Sequence, residues 1–182
     1  MSAVEQIRRT QTPLGLRDSH RLKAELERLW SANFADIPKV NNIDVHFAAA
    51  WKNRLGVISL SEDEQTTYIG INSLLRLPEA PIFLLQITLA HELVHYTHGF
   101  GSPLPRRYRY PHRGGVVEKE LRCRGLSDLH WIYQQWIHEN WFDFYDQVGI
   151  NFEVVPMTRH SGNPKETYQS SESEEGRPDQ DQ

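Results

Sequence analysis

The chain has 182 residues, of which 38% are hydrophobic, and a formal net charge of −4, which suits one domain with tails and predicts no strong overall attraction to nucleic acid or anionic membrane. The single cysteine, Cys123, excludes an intrachain disulfide and a cysteine-based zinc cluster. The longest apolar stretch, residues 80–90, is too short to cross a bilayer, and residues 1–9 lack the apolar core of a secretory signal, so we expect a cytoplasmic protein without a membrane partner.

The N-terminal half predicts one helix followed by three strands. Residues 1–17 are polar, and we expect a flexible segment. A stripe of leucines at helical spacing predicts a helix from a cap at Asp18 or Ser19 to about Phe34. Alternating and β-branched patterns then predict strands over residues 43–47, 55–60 and 66–72. We expect residues 66–72 at the edge of the sheet, where an extended peptide could add as a further strand.

The C-terminal half predicts three helices. The first is apolar nearly all round, starts at Pro81 and stops before Gly99. A loop rich in proline, arginine and tyrosine follows over residues 101–115. Two helices come next, over residues 116–124 and from Ser127 to about Tyr145, and then a short strand over residues 152–155. In the last helix Trp131, Trp136 and Trp141 recur every five residues, a spacing that does not place them on one face of the helix.

These elements predict an α+β fold, in which a small twisted sheet packs on helices. The domain is expected over residues 18–156. Residues 157–182 offer little to bury and end in an acidic, polar run, which predicts a disordered tail.

The segment His91-Glu92-Leu93-Val94-His95 lies within the apolar helix and reads H-E-x-x-H. Residues four apart project from one face of a helix, so His91 and His95 could hold one Zn²⁺. Glu92 would then lie beside the open side of the metal and act as general base on a bound water. Polar groups buried without partners would each cost about 1–3 kcal/mol, and a metal with its water would satisfy all three.

A catalytic zinc usually has three protein ligands and one water, so a third ligand is expected after the motif. The metzincin pattern would require a histidine where Gly101 stands and is excluded. His98 lies a further turn along the helix and is interpreted as a cation at its C-terminus. His112 is the favoured third ligand, because imidazole is a good ligand for zinc and the loop before it is long enough to fold back over the helix. Glu118 in the next helix is the alternative, and Glu120 ranks third.

Three segments in order resemble the SprT-like family of zincin metallopeptidases. Residues 68–75 resemble the family's strand with an asparagine before the active helix, and residues 87–95 resemble that helix. Residues 111–117 resemble its later His-Gly element, which supplies the third zinc ligand and so supports His112. Arg113 intervenes here between histidine and glycine, and one cysteine cannot form the zinc ribbon that many members carry.

The resemblance implies a zincin-like core with one catalytic Zn²⁺ and the hydrolysis of peptide bonds in a protein or peptide substrate. The family includes proteases that digest proteins crosslinked to DNA, so DNA-associated proteins are a candidate substrate. Tyr110 and Arg113 are candidate donors to the oxyanion, because they lie close to His112 in the sequence.

An alternative function is a zinc-stabilised binding module without turnover. Residues 103–124, the basic loop, carry seven basic and two acidic residues, a net charge of +5, and Tyr108 and Tyr110 interleave with the arginines. This pattern suits stacking on single-stranded bases, so the loop is a candidate contact for nucleic acid. Residues 166–182 carry a net charge of −5 and could shield the basic loop.

Overall fold

A computed structural model describes residues 15–149, which form four α-helices and a three-stranded mixed sheet. The elements in chain order are α1 (Ser19–Asn33), β1 (Asn42–Phe47), β2 (Gly56–Leu60), β3 (Thr66–Ile71), a 3₁₀ helix (Ser73–Arg76), α2 (Ile82–Thr97), α3 (Val116–Cys123) and α4 (Ser127–Gly149). The α+β class is confirmed, as are the predicted helices and strands in this range, to within a few residues. The predicted strand at 152–155 and the predicted tail at 157–182 lie outside the described residues.

The beginning of α1 is fixed by a cap and by a buried arginine. The carboxylate of Asp18 accepts a hydrogen bond of 2.8 Å from the backbone N–H of Arg21, as expected of an N-cap aspartate. The side chain of Arg17 is buried and donates hydrogen bonds of 2.7–2.8 Å to three backbone carbonyls, those of Leu75, Leu77 and Ala80. The packed part of the chain therefore begins before Asp18. Residues 1–14 of the predicted flexible segment lie outside the described range.

The strand order of the sheet is β1-β3-β2. β1 pairs with β3 in parallel, and β2 pairs with β3 antiparallel, with Gly56 opposite Ile71. The prediction that residues 66–72 form an edge is therefore wrong, because β3 is hydrogen-bonded on both sides. β2 and β3 are consecutive strands and form a hairpin, whereas β1 pairs with the other side of β3. The residue pattern within a single strand does not show which strands will pair with it. Among the described residues, β2 is the edge strand that packs beside α2.

The helix α2 runs through the middle of the core. Twelve of its sixteen residues are buried, in agreement with an apolar pattern nearly all round. Leucines of α1, the inward side chains of β3 and the valines and leucines of α3 pack around it. Glu92 and His95 of the H-E-x-x-H motif are thus buried in this core, while His91 is partly exposed. None of the described helices has the length and apolar character to cross a membrane.

Candidate metal centre

The helix α2 presents His91 and His95 on one face, with their ring centroids 4.7 Å apart. The helix ends soon after, where the backbone N–H of His98 bonds to the carbonyl of Val94 at 3.0 Å. Gly99 then adopts a left-handed conformation with φ of 76°, which glycine adopts without strain and which commonly ends a helix. The motif therefore lies in the last two turns, close to the point where the chain leaves the helix.

The chain after α2 folds back over the end of the helix. The hydroxyl of Ser102 donates to the carbonyl of Tyr96 at 2.6 Å, and the backbone N–H of Arg107 donates to the carbonyl of His98 at 3.0 Å. These bonds hold the loop against the helix that it has just left. His112 returns in this way to the motif, as the reach of the loop predicted.

His112 completes a group of three imidazoles. Its ring centroid lies 5.2 Å from that of His91 and 4.7 Å from that of His95, and one nitrogen from each ring lies within 4.8 Å of the others. A tetrahedral zinc with Zn–N bonds of about 2.0–2.1 Å separates its ligand nitrogens by about 3.4 Å, so the rings need to close by an ångström or so. Within residues 15–149, Glu118 is not part of this group. Three histidines are thus close enough to bind a metal ion.

The three rings are neutral in the metal-free protein. Burial lowers the pKa of His91 to about 3 and that of His95 to about 2, and the neighbouring histidines add to both effects. Burial also lowers the pKa of His112, although Glu118 acts in the opposite direction. A neutral imidazole has a free lone pair for a metal. Nδ1 of His95 is buried without a hydrogen-bond partner among the described residues, a state that a metal centre with its waters would relieve.

Glu92 lies between the metal group and the first residue of β2. Its side chain is buried, and burial raises its pKa to about 8, while the positive charge of Arg54 acts in the opposite direction. A methyl group on Gly56 would overlap with Oε1 of Glu92 and would lie 2.8 Å from Cγ2 of Thr88. Gly56 therefore leaves the space that this carboxylate occupies, and no pattern around Gly56 in the sequence predicted this role.

His98 departs from the sequence-based interpretation. Its ring is fully buried, Nε2 lies 3.3 Å from Oε2 of Glu120, and Tyr108 packs edge-to-face on it with centroids 4.8 Å apart. Burial lowers the pKa of His98, although Glu120 acts in the opposite direction, so the surroundings of the ring disfavour the predicted cation. The helix ends inside the protein rather than in water, and this environment disfavours the charged ring. Glu120, the remote alternative ligand, is bound to His98 instead.

The basic loop offers less charge than its composition suggests. Arg124 is 7% exposed and forms ion pairs of 2.8 Å with both Glu120 and Asp36. Tyr110 is 42% exposed, and the guanidinium groups of Arg109 and Arg113 lie over its ring at 5.3 and 5.7 Å. The two candidate oxyanion donors, Tyr110 and Arg113, thus contact each other at the surface.

Two residues of α4 that interact electrostatically with the motif were missed from the sequence. His130 is half-buried, and its charge lowers the pKa of His91. Tyr133 stacks on His130 with ring centroids 6.1 Å apart, and Glu92 contributes to the raised pKa of its hydroxyl. The available signal was their spacing of three, which places both on one helix face together with the apolar Leu126 and Leu129.

Comparison of the chain with protein-family models, with curated proteins and with solved structures found no match. The fold and the site therefore define the molecule as an α+β protein with a group of three histidines able to hold a metal ion.

Proposed function

We propose that this chain is a zinc-dependent peptidase with a zincin-like core, as its resemblance to the SprT-like family implies. The observation that carries the proposal is the meeting of three neutral imidazoles within 4.8 Å, with a buried carboxylate next in sequence to the first of them. Three protein ligands leave a fourth position for water, which is the arrangement of catalytic zinc sites.

The donor set favours zinc over other common ions. Imidazole nitrogen suits zinc and other late transition metals, whereas Mg²⁺ and Ca²⁺ prefer oxygen ligands. His91, His95 and His112 would hold the ion, and the unpartnered Nδ1 of His95 fits the need for a metal centre at this place. When bound, zinc would lower the pKa of a coordinated water to about 7 and polarise the scissile carbonyl.

Glu92 is the proposed general base. It would take a proton from the attacking water and return it to the nitrogen of the leaving amine. This role requires the ionised carboxylate, whereas burial raises the pKa of Glu92 to about 8 in the metal-free protein. A divalent cation nearby favours the ionised carboxylate, so the binding of zinc would also convert Glu92 to the form that accepts a proton.

The edge strand β2 supports an extended peptide as substrate. It begins at Gly56, whose backbone lies against Glu92, and Ile58 lies against Gly101 beyond the end of α2. One side of β2 pairs with β3, and its other side pairs with no strand among the described residues. A peptide that adds to this side would pass beside Glu92, and backbone pairing would bind it with little dependence on its sequence.

The decisive experiment is the substitution Glu92→Gln. We expect zinc content near one equivalent in both proteins and a loss of peptide hydrolysis of about 100- to 10,000-fold in the variant, the usual contribution of a general base. A wild-type protein that holds zinc and cleaves no unfolded protein or peptide library would contradict the proposal. Equal turnover by the two proteins would remove Glu92 from the reaction.

The exposed aromatic and basic side chains of the loop favour a second candidate, a zinc-stabilised module that contacts nucleic acid. Tyr108 and Tyr110 are 41% and 42% exposed, and four arginines of the same loop are exposed beside them, Arg106, Arg107, Arg109 and Arg113. Exposed rings and cations suit single-stranded bases and phosphates. The test is binding of an oligonucleotide at several salt concentrations, where a phosphate-dependent complex weakens as salt rises. Glu92→Gln should leave this binding unchanged.

A further inference from the structure

The ring of His98 contacts both ends of the segment that carries His112. Tyr108 precedes His112 by four residues and packs edge-to-face on His98, with ring centroids 4.8 Å apart. Glu120 follows His112 by eight residues, and its Oε2 lies 3.3 Å from Nε2 of His98. One buried side chain thus contacts residues on either side of the third imidazole. We call residues 108–120 the returning segment.

The middle of the returning segment has few attachments of its own. Residues 109–114 form no backbone hydrogen bond with another element of residues 15–149. Pro111 is buried, but it has no N–H to donate, and apolar packing is not directional. The position of His112 therefore depends on the contacts that the chain makes before and after this stretch.

The chain before Tyr108 lies directly on the end of α2. The backbone N–H of Arg107 donates to the carbonyl of His98 at 3.0 Å. A methyl group on Gly99 would lie only 2.7 Å from the backbone nitrogen of Arg106, so the loop backbone touches the helix end at this point. Tyr108 follows at once, and its ring packs on the ring of His98. His98 therefore joins the loop through both its backbone and its side chain.

The contact of His98 with Glu120 is directional. Burial raises the pKa of Glu120, but the hydrogen bonds of His98 and Arg124 outweigh burial and lower it, so the carboxylate is ionised at neutral pH. Nε and one terminal nitrogen of Arg124 donate to Oε1 of Glu120 at 2.9 and 2.8 Å, which leaves Oε2 for His98. An ionised carboxylate only accepts hydrogen bonds, so Nε2 of the neutral His98 ring carries a proton and donates it.

Packing alone does not explain a polar ring at this place. His98 is fully buried, and its Nδ1 has no hydrogen-bond partner among the described residues. A buried nitrogen without a partner costs free energy that an apolar side chain of similar size would not cost. What the imidazole adds, in comparison with such a side chain, is the directed hydrogen bond to Glu120.

We propose that His98 is a positioning residue of the metal centre, which holds both ends of the returning segment so that His112 meets His91 and His95. His98 follows His95 by three residues on the same helix, so it fixes the third imidazole relative to the other two. It acts through Tyr108 and Glu120 and is not itself one of the three grouped histidines. This inference rests on the metal-binding part of the proposed function and does not require peptide hydrolysis.

The test compares His98→Leu with Thr97→Val. Leucine keeps an apolar contact for Tyr108 and removes the hydrogen bond to Glu120. Valine removes a buried hydrogen bond from the same turn of α2, that of the Thr97 hydroxyl to the carbonyl of Leu93 at 2.8 Å, and leaves both contacts of His98 in place. We expect zinc affinity, measured by competition with a chelator, to fall about 10- to 100-fold in His98→Leu and to change less than about 3-fold in Thr97→Val.

His98→Gln distinguishes positioning from a general loss of stability. The amide nitrogen of glutamine can take the place of Nε2 and donate to Glu120, although the ring contact with Tyr108 is lost. We expect zinc affinity within about 5-fold of the wild type. The visible spectrum of Co²⁺ bound in place of zinc should change in His98→Leu and be restored in His98→Gln, because it depends on the arrangement of the ligands. Zinc affinity that follows the melting temperature alone across the three variants would overturn the proposal.

Hydrogen exchange of the metal-free proteins tests the attachment itself. The amides of residues 109–114 should exchange about 10-fold faster in His98→Leu than in the wild type or in Thr97→Val, because the stretch opens locally more often. Equal exchange and equal zinc affinity in the two variants would remove the positioning role, as would unfolding of His98→Leu. A wild type that binds no zinc contradicts the proposed metal centre, and exchange then decides the attachment alone. Zinc binding without peptide hydrolysis contradicts only the peptidase proposal.

Discussion

Gly56 and Glu92 occupy adjoining space, because a methyl group on Gly56 would overlap with Oε1 of the Glu92 carboxylate. The edge strand and the proposed general base are therefore coupled, because Gly56 carries no side chain. The backbone of Gly56 lies in a strand conformation, so alanine would be accepted there by the main chain. A methyl group at position 56 would instead clash with the side chains of Glu92 and Thr88.

We predict that Gly56→Ala lowers kcat/KM about 100-fold or more while zinc content stays near one equivalent. The added methyl forces the carboxylate of Glu92 to turn away, and a misplaced general base loses most of its contribution. Overpacking should also lower the free energy of unfolding by about 1–3 kcal/mol.

Gly70→Ala is the matched control for Gly56→Ala. Gly70 pairs with Val57 in the same sheet, and a methyl group there would meet Val57 and Ala48 instead of Glu92. We expect a comparable loss of stability in urea with turnover near that of the wild type. Equal losses of activity in the two variants would refute a specific link between Gly56 and Glu92.

The identity of the third ligand can be decided by metal analysis. We predict that His112→Ala, like His91→Ala and His95→Ala, loses zinc after dialysis, because one neutral imidazole is removed from a group of three. Glu118→Ala should keep about one equivalent, because Glu118 is exposed and acts on His112 only through its charge. Loss of zinc in Glu118→Ala with retention in His112→Ala would reverse the assignment.

Zinc should also stabilise the folded state, because the ligand group forms only on folding. Addition of a chelator should lower the melting temperature of the wild type and leave that of His112→Ala unchanged, since a ligand stabilises only the state that it binds. Calorimetric melting curves with and without chelator measure this difference. Equal shifts in both proteins would contradict a site that depends on His112.

The helices and the grouping of the histidines were accessible from the sequence, because their signals are local. The spacing of His91 and His95 sets one helix face, and the loop after the helix is long enough to bring His112 back to it. The order of the strands was not accessible, since β1 pairs with β3 across a separation of 24 residues and the intervening β2 lies on the other side of β3. Alternation within residues 66–72 is the same for a central strand and for an edge strand, so it could not decide between them.

The packing of Tyr133 and the ion pairs of Arg124 were missed for a different reason. Each depends on which side of its own segment faces the core, and neighbouring elements decide that. Three tryptophans spaced by five dominate the pattern of α4, although Trp131 is 63% exposed and Trp141 is buried. Arg124 follows α3 and turns inward to Glu120 and Asp36, a contact between segments 88 residues apart. No local pattern carries this information.

The raised pKa of Glu92 predicts a specific dependence of stability on pH. In the metal-free protein its folded pKa is about 8, against an ordinary value of 4.5. Between pH 5.5 and 7.5 the folded state keeps a proton that the unfolded state releases, so stability falls as pH rises by about 1.4 kcal/mol per unit. Glutamine does not titrate. From pH 5.5 to 7.5, the wild type should therefore lose about 2–3 kcal/mol relative to Glu92→Gln.

This difference is measured by urea unfolding of both proteins with a chelator present. The histidines titrate in both proteins, so their contributions cancel in the comparison. With zinc bound, the difference should shrink, because the cation keeps Glu92 ionised. Parallel pH profiles of the two metal-free proteins would show that burial does not hold a proton on Glu92.

Asn72 supports the loop that leads to the edge strand. Its side chain is fully buried, and Nδ2 donates to the carbonyls of Trp51 and Arg54 at 2.7 and 2.8 Å. Its Oδ1 accepts from the backbone N–H of Leu74 at 3.0 Å. These three hydrogen bonds of the Asn72 side chain join the loop to the 3₁₀ helix.

We predict that Asn72→Asp lowers the free energy of unfolding by about 2–5 kcal/mol, although the two side chains have the same shape. A carboxylate has no N–H to donate, so two buried carbonyls lose their partner and a charge is placed beside them. The freed loop should also shift Gly56 and lower turnover. Asn140→Asp is the control, because Asn140 is exposed and its substitution should change stability by no more than about 0.5 kcal/mol. Urea unfolding within 1 kcal/mol of the wild type for Asn72→Asp would exclude this supporting role.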